Sequence, residues 1–178
     1  CRLKVATHMV QFIFSRPFIR LAIFFSVAGL LGFGYYLEFI KGLEPCPLCI
    51  TQRFFLLVSG LLGLLAAIHK PAQTGTWIYA GIGALTAIAG GFFSGRQLYL
   101  QSLPADQVPA CGPSLEFILE TFPLSEAISI LLRGDGNCAE VAWTFMGLSI
   151  PGWTLVVFVG FAIGWILQAL VPANSHQA

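Results

Sequence analysis

The sequence predicts an all-α integral membrane protein, a four-helix transmembrane bundle with a long exterior loop carrying short amphipathic helices. Three observations carry that prediction. Four stretches reach the roughly 20 mostly apolar residues that a membrane span needs. Only 10% of the residues are charged, against about 25% in an ordinary soluble domain. Mean hydropathy is +0.82, with 57% of residues hydrophobic. Such a chain lacks the charge to cover a soluble surface. Its net charge of +1 offers no footprint for a nucleic acid.

Taken in order, Cys1–His8 read as a foreign tail, because Thr7-His8-Met9 resembles a cloning-site scar and Met9 is a plausible start. Residues 9–178 are then expected to form a single four-span membrane domain. The first span is predicted at about Phe18 to Leu37 and the second at about Cys49 to Ile68. The third is predicted at about Thr76 to Phe93 and the fourth at about Pro151 to Val171. Each must be helical, since a lone span in lipid satisfies its own backbone. The third carries Ala80, Gly81, Gly83, Ala84, Ala87, Ala89, Gly90 and Gly91, which predicts an interior packing face.

Four spans leave both termini on one side. The loops at about 38–48 and 94–150 lie on the other, together with Cys46, Cys49, Cys111 and Cys138. Every acidic residue lies on or near that second side. Lysine and arginine counts discriminate weakly: Arg16, Arg20 and Lys70 stand against Lys41, Arg96 and Arg133. Cysteine pairs persist outside the cytosol, so the cysteine side is expected in the periplasm and the termini in the cytoplasm. The long loop is broken by Pro104, Pro109, Pro113 and Pro123. Within it, Leu115, Ile118, Leu119 and Phe122 follow one helix face, and Ala127 to Leu132 form a second apolar stretch. These pieces are expected on the membrane surface, or packed as a small loop core on the bundle.

The chemistry concentrates in Cys46-Pro47-Leu48-Cys49, where a polar loop re-enters an apolar helix. A helix N-terminus favours thiolate. Cys49 opens the second span, and Arg53 follows four residues later on the same face. A charge inside a span costs about 2.5–3.5 kcal/mol, less near the interface. Arg53 therefore either snorkels to the headgroups or faces a polar headgroup between helices, such as a quinone carbonyl. Gln52 is a neighbouring donor, or simply interfacial polarity. Cys111 and Cys138 lie in turn-rich stretches whose mobility would let a cysteine reach more than one partner. A plain loop staple is the alternative. Four cysteines allow three pairings. Cys46–Cys49 with Cys111–Cys138 is preferred, since the others cross between loops. A zinc site using all four has only one half with the usual short spacing, and no metal is expected.

Several stretches together resemble the bacterial DsbB family of disulfide-bond formation proteins, from about Phe12 to Val171. They are Pro45–Arg53, Gly95–Gln101, Pro109–Pro113 and Gly136–Trp143. The resemblance implies a membrane thiol oxidase that serves protein disulfide-bond formation. A reduced periplasmic thioredoxin-like partner, DsbA, would attack Cys111, and the freed Cys138 would attack Cys46. Cys49 would be released beside ubiquinone or menaquinone near Arg53, with electrons ending on the quinone. Quinone contacts would fall to Arg53, Gln52 and Arg96, and the cysteine-bearing side of Gln97–Val108 would carry partner or quinone contacts. Arg96 could equally be an interfacial anchor. Two rivals remain. A vitamin K epoxide reductase-like protein also carries a dithiol and loop cysteines, but with the dithiol after the loop pair. A non-catalytic four-span protein would have merely stapled loops.

Overall fold

The computed structural model describes residues 15–43, 45–104, 106–110, 112 and 115–171. Its frame is four helices long and apolar enough to cross a membrane. They are α1 (Arg16–Phe39), α2 (Pro47–His69), α3 (Gln73–Ser102) and, after the long loop, α6 (Ile150–Leu170). The loop holds α4 (Leu115–Thr121), α5 (Leu124–Arg133), a 3₁₀ turn (Gly136–Ala139), and the strands β1 (Thr144–Phe145) and β2 (Leu148–Ser149).

Pro17, Pro47 and Pro151 sit in the first turns of α1, α2 and α6. There the missing N–H would have had no intrahelical partner. Lys70, in the left-handed region at φ 44°, closes α2 and lets the chain reverse into α3. In α3 the buried positions Thr76, Ala80, Gly83, Ala87, Gly90, Ser94, Gln97 and Leu100 recur every three or four residues, as one helix face requires. That face packs on α6 and α2. At Gly83 and Gly90 an added Cβ would fall 2.3 Å from Trp165 and 2.2 Å from Phe158. Both rings are buried at the centre of the core with Ile23, Val27 and Leu56.

The third helix differs most from its predicted extent. It has 30 residues, about 45 Å at the usual rise, against a hydrocarbon core of about 30 Å. The hydropathy falls after Phe93 because the helix leaves the apolar layer, not because it ends. No proline intervenes before Pro104. The segment from Ser94 to Ser102, expected as loop, is therefore rigid helix on the cysteine side.

Arg16 and Arg20 are a second difference. Expected as flanks of the first span, they are 7% and 4% exposed. Arg20 donates to Ala66 O at 2.8 Å, Gln168 Oε1 at 2.9 Å and Thr76 Oγ1 at 3.2 Å. Arg16 donates to Val171 O at 3.1 Å and also to Gln73 Oε1. Ala66 O, which also accepts from the Lys70 N–H at 3.3 Å, and Val171 O lie at the C-terminal ends of α2 and α6, where each helix dipole is negative. The arginines complement both ends, and they tie the described ends of the chain to one side.

On the other side, β1 and β2 pair antiparallel around Met146 and Gly147, at φ 51° and 81°. Two positive φ values in a two-residue loop suit the right-handed strand twist. In α4, Ile118 is 1% exposed and Phe122 half-buried. The side chains of Leu115 and Leu119 lie outside those described. In α5, Leu124 and Ile128 stay exposed.

Candidate functional site

Three cysteines converge where α2 begins. Cys46 is the N-cap of α2, and its sulfur accepts from the Cys49 backbone N–H at 3.4 Å. The two sulfurs are 3.1 Å apart, both as thiols. Pro47 pre-sets the backbone for that first turn.

Cys138 comes from the 3₁₀ turn, far along the chain, and packs with Cys46 in one buried cluster. Asp135 caps this turn by accepting from the Cys138 N–H at 3.2 Å. The turn packs on α3 and α2, where Leu48, Leu100, Cys46 and Cys138 form a buried cluster. The neighbouring Cys138 thiol, then the hydrogen bond with Cys49, then burial, push the Cys46 thiol well above its ordinary pKa. Cys111 lies outside the described residues. Its neighbours do not: Ala110 O accepts from Gly136 N–H at 3.2 Å, and Gly112 abuts Asp135. The Cys138 segment is thus tied to the stretch on either side of Cys111.

Cys49 opens onto a cavity of about 940 Å³. Leu30, Leu31, Leu56 and Val157 make its apolar walls, and Cys46, Cys49, Gln52, Arg53 and Gln97 its polar end. Phe33, Trp143, Phe145 and Trp153 line it as well. The Trp143 and Phe145 rings stack at 5.9 Å, and Trp153 Nε1 donates to Phe145 O at 3.0 Å. Arg53 does not run out to solvent. It pairs with Glu38, donates to Gly34 O at 3.2 Å, and lies 5.2 Å from the Tyr35 ring centroid.

The remaining sequence candidates separate. Gln52 is 3% exposed and directs its amide nitrogen at Gln97 Oε1, 2.7 Å away. Arg96 sits over the Tyr99 ring at 5.2 Å and is not among the residues lining the cavity. One turn position separates Arg96 from Gln97, and that position decides which of them faces the cysteines. Gln97 is in phase with Gly83 and Gly90, whereas Arg96 is not. The resemblance implies partner or quinone contacts along Gln97–Val108 and singles out Arg96; the helix phase is the signal that picks Gln97 instead. Sequence reasoning passed over Glu38 as the partner of Arg53. Among the described residues no group of three or more His, Cys, Asp or Glu is arranged to hold a metal ion.

Comparisons with known proteins agree with this architecture. The family model described as disulfide bond formation protein DsbB matches residues 16–168. A disulfide bond formation protein B of Hahella chejuensis is 58% identical over 142 residues, covering 80% of this chain and 86% of the relative. One of Marinobacter nauticus is 53% identical, covering 76% and 81%. One of Saccharophagus degradans is 49% identical, covering 86% and 92%. With a match running from the first residue of α1 almost to the end of α6, the chain belongs to the DsbB family of disulfide bond formation proteins.

Proposed function

We propose that this protein is a thiol oxidase of the bacterial inner membrane. It reoxidises a periplasmic thioredoxin-like disulfide donor of the DsbA kind and passes the electrons to membrane quinone, ubiquinone or menaquinone. The single observation that carries the reading is the position of Cys46. It packs with Cys138 on the loop side and is hydrogen-bonded to Cys49 on the cavity side. A sulfur between two others is what sequential disulfide exchange needs.

The cavity suits a quinone. Its volume of about 940 Å³ lies within the range of small-molecule sites. Its walls are apolar, and its donors gather at the Cys49 end. A guanidinium has five N–H donors, so Arg53 keeps donors to offer after its bonds to Glu38 and Gly34 O. Arg53 and Gln52 would hold the head group, and quinone bound there supplies a two-electron acceptor.

The chain's own residues do the rest. With Cys111 and Cys138 joined as a disulfide, the reduced partner's thiolate attacks Cys111 and frees Cys138. Cys138 attacks Cys46, the Cys46–Cys49 bond breaks, and Cys49 leaves with the electron pair on its sulfur. The apolar walls and the aromatic residues of the hairpin keep water from that sulfur. The cysteine loops face the periplasm, where disulfides persist.

The test uses the purified protein in detergent with a reduced thioredoxin-like partner and ubiquinone, following quinone absorbance. Quinone reduction that is lost in Cys46→Ser supports the reading. No reduction by the native chain, or full activity in Cys46→Ser, sinks it.

A further inference from the structure

Gln97 is 3% exposed and points its carboxamide into the dithiol. Its Nε2 is 3.4 Å from Cys46 Sγ and 3.3 Å from Cys49 Sγ. Its Oε1 accepts from Gln52 Nε2 at 2.7 Å. Gln52 is itself buried, and in this arrangement the bond turns the Gln97 Nε2 toward the sulfurs. The carboxamide also matches Cys49 in both protonation states. Oε1, at 3.6 Å, can accept from the thiol, and Nε2 can donate to the thiolate.

We infer that Gln97 is a catalytic residue of the relay, the donor that receives negative charge on Cys49, and that Gln52 is the positioning residue that orients it. The inference rests on the oxidase reading and deepens it. When Cys138 attacks Cys46, the Cys46–Cys138 bond forms and the Cys46–Cys49 bond breaks. The electron pair of the broken bond stays on Cys49 Sγ. A fixed N–H already aimed at that atom stabilises the leaving thiolate without reorganisation, as an oxyanion hole does for oxygen. Gln97 stands on the rigid extension of α3, which keeps the donor in place.

The experiment uses the full chain in detergent, reduced and freed of quinone, so that it reads the sulfur and not turnover. Thiolate ultraviolet absorbance is measured at neutral pH. Iodoacetamide labelling of each cysteine is followed by peptide mass mapping. Gln97→Met removes the donor, and Gln97→Glu keeps the shape but replaces the N–H with a carboxyl that opposes a thiolate when ionised. Both should lower the thiolate signal and slow labelling of Cys49 at least about threefold, since lost thiolate is partly offset by higher intrinsic nucleophilicity. Gln52→Leu should move both readouts the same way by less.

Cys138, 0% exposed, reports folding by remaining unlabelled. Native labelling of Cys49 in Gln97→Met overturns the assignment. Exposure of Cys138 in both variants overturns it too, because the side chain is then structural. If the native chain reduces no quinone yet the variants still slow Cys49, the oxidase reading fails and the donor assignment stands. If quinone is reduced and labelling is unchanged, only the donor assignment fails.

Discussion

Arg53 on α2 is ion-paired with Glu38, fifteen residues earlier on α1, and the same guanidinium donates to Gly34 O one turn before that glutamate. The cation is therefore held from the neighbouring helix and kept at the cavity instead of extending to the headgroups. Arg53→Ala should raise the apparent KM for quinone about tenfold, the scale of one charge-assisted hydrogen bond. The KM for the thiol partner should change little. Glu38→Gln should give a smaller rise, because Gly34 O and Tyr35 still hold the side chain. Steady-state titration of each substrate separates the two, and an unchanged quinone KM removes Arg53 from the site.

The packing of Cys46 with Cys138 predicts which new disulfide forms most readily. In Cys49→Ala, mild oxidation should join Cys46 to Cys138, read as a cross-linked peptide pair by mass spectrometry. Recovery of Cys46 as a free thiol under the same treatment counts against their contact.

The raised pKa of Cys46 has a definite sign. A thiol whose pKa lies above its ordinary value stays protonated through neutral pH, and the protonated form is unreactive. In the fully reduced protein at neutral pH, iodoacetamide should therefore label Cys49 before Cys46. Labelling of Cys46 should grow only as the pH is taken well into the alkaline range. Equal labelling at neutral pH would contradict this order.

Packing between α3 and α6 gives a stability test with an internal control. Gly90→Ala puts a methyl group 2.2 Å from the Phe158 ring, where the ring must shift. The expected cost is about 1–3 kcal/mol, seen as a lower unfolding midpoint in detergent. At Gly81 nothing lies within 4 Å of the added carbon, so Gly81→Ala should be neutral or slightly stabilising through helix propensity.

Arg20 should behave as a buried cross-link. Arg20→Met deletes bonds to Ala66 O, Gln168 and Thr76 at once. At about 1.5–3 kcal/mol for each hydrogen bond to a charged group, the unfolding midpoint should fall further than in Gly90→Ala. Activity per folded molecule should hold, because the arginine lies at the opposite end of the bundle from Cys49.

Much of this was legible in the sequence, and what was not has physical reasons. The four spans could be read because lipid imposes both length and polarity on a helix, and Cys49 and Arg53 because four residues on a helix share a face. Hydropathy could not follow α3 past Phe93, since it measures the apolar layer and is blind to helix continuing beyond it. That error hid Gln97, which a loop assignment leaves without a face. Arg16 and Arg20 read as interfacial because charge alone does not disclose that two helix ends meet at them. The hairpin was hidden because Met146 is an unusual residue to hold a positive φ. The glutamate partner of Arg53 belongs to another helix, and no spacing along the chain predicts it.

The latch formed by Arg16 and Arg20 also sets an order in time. Their partners include Thr76 on α3, Gln168 on α6, and Val171 just beyond α6. During synthesis, the first helix emerges with two cations whose acceptors have not yet been made. The bundle can lock only when the last helix enters beside the first, so a chain halted before α6 holds its dithiol in an open, unlatched assembly. Arrival of α6, which carries Trp153, Thr154 and Val157 of the lining, thereby becomes the event that closes the molecule around its cavity.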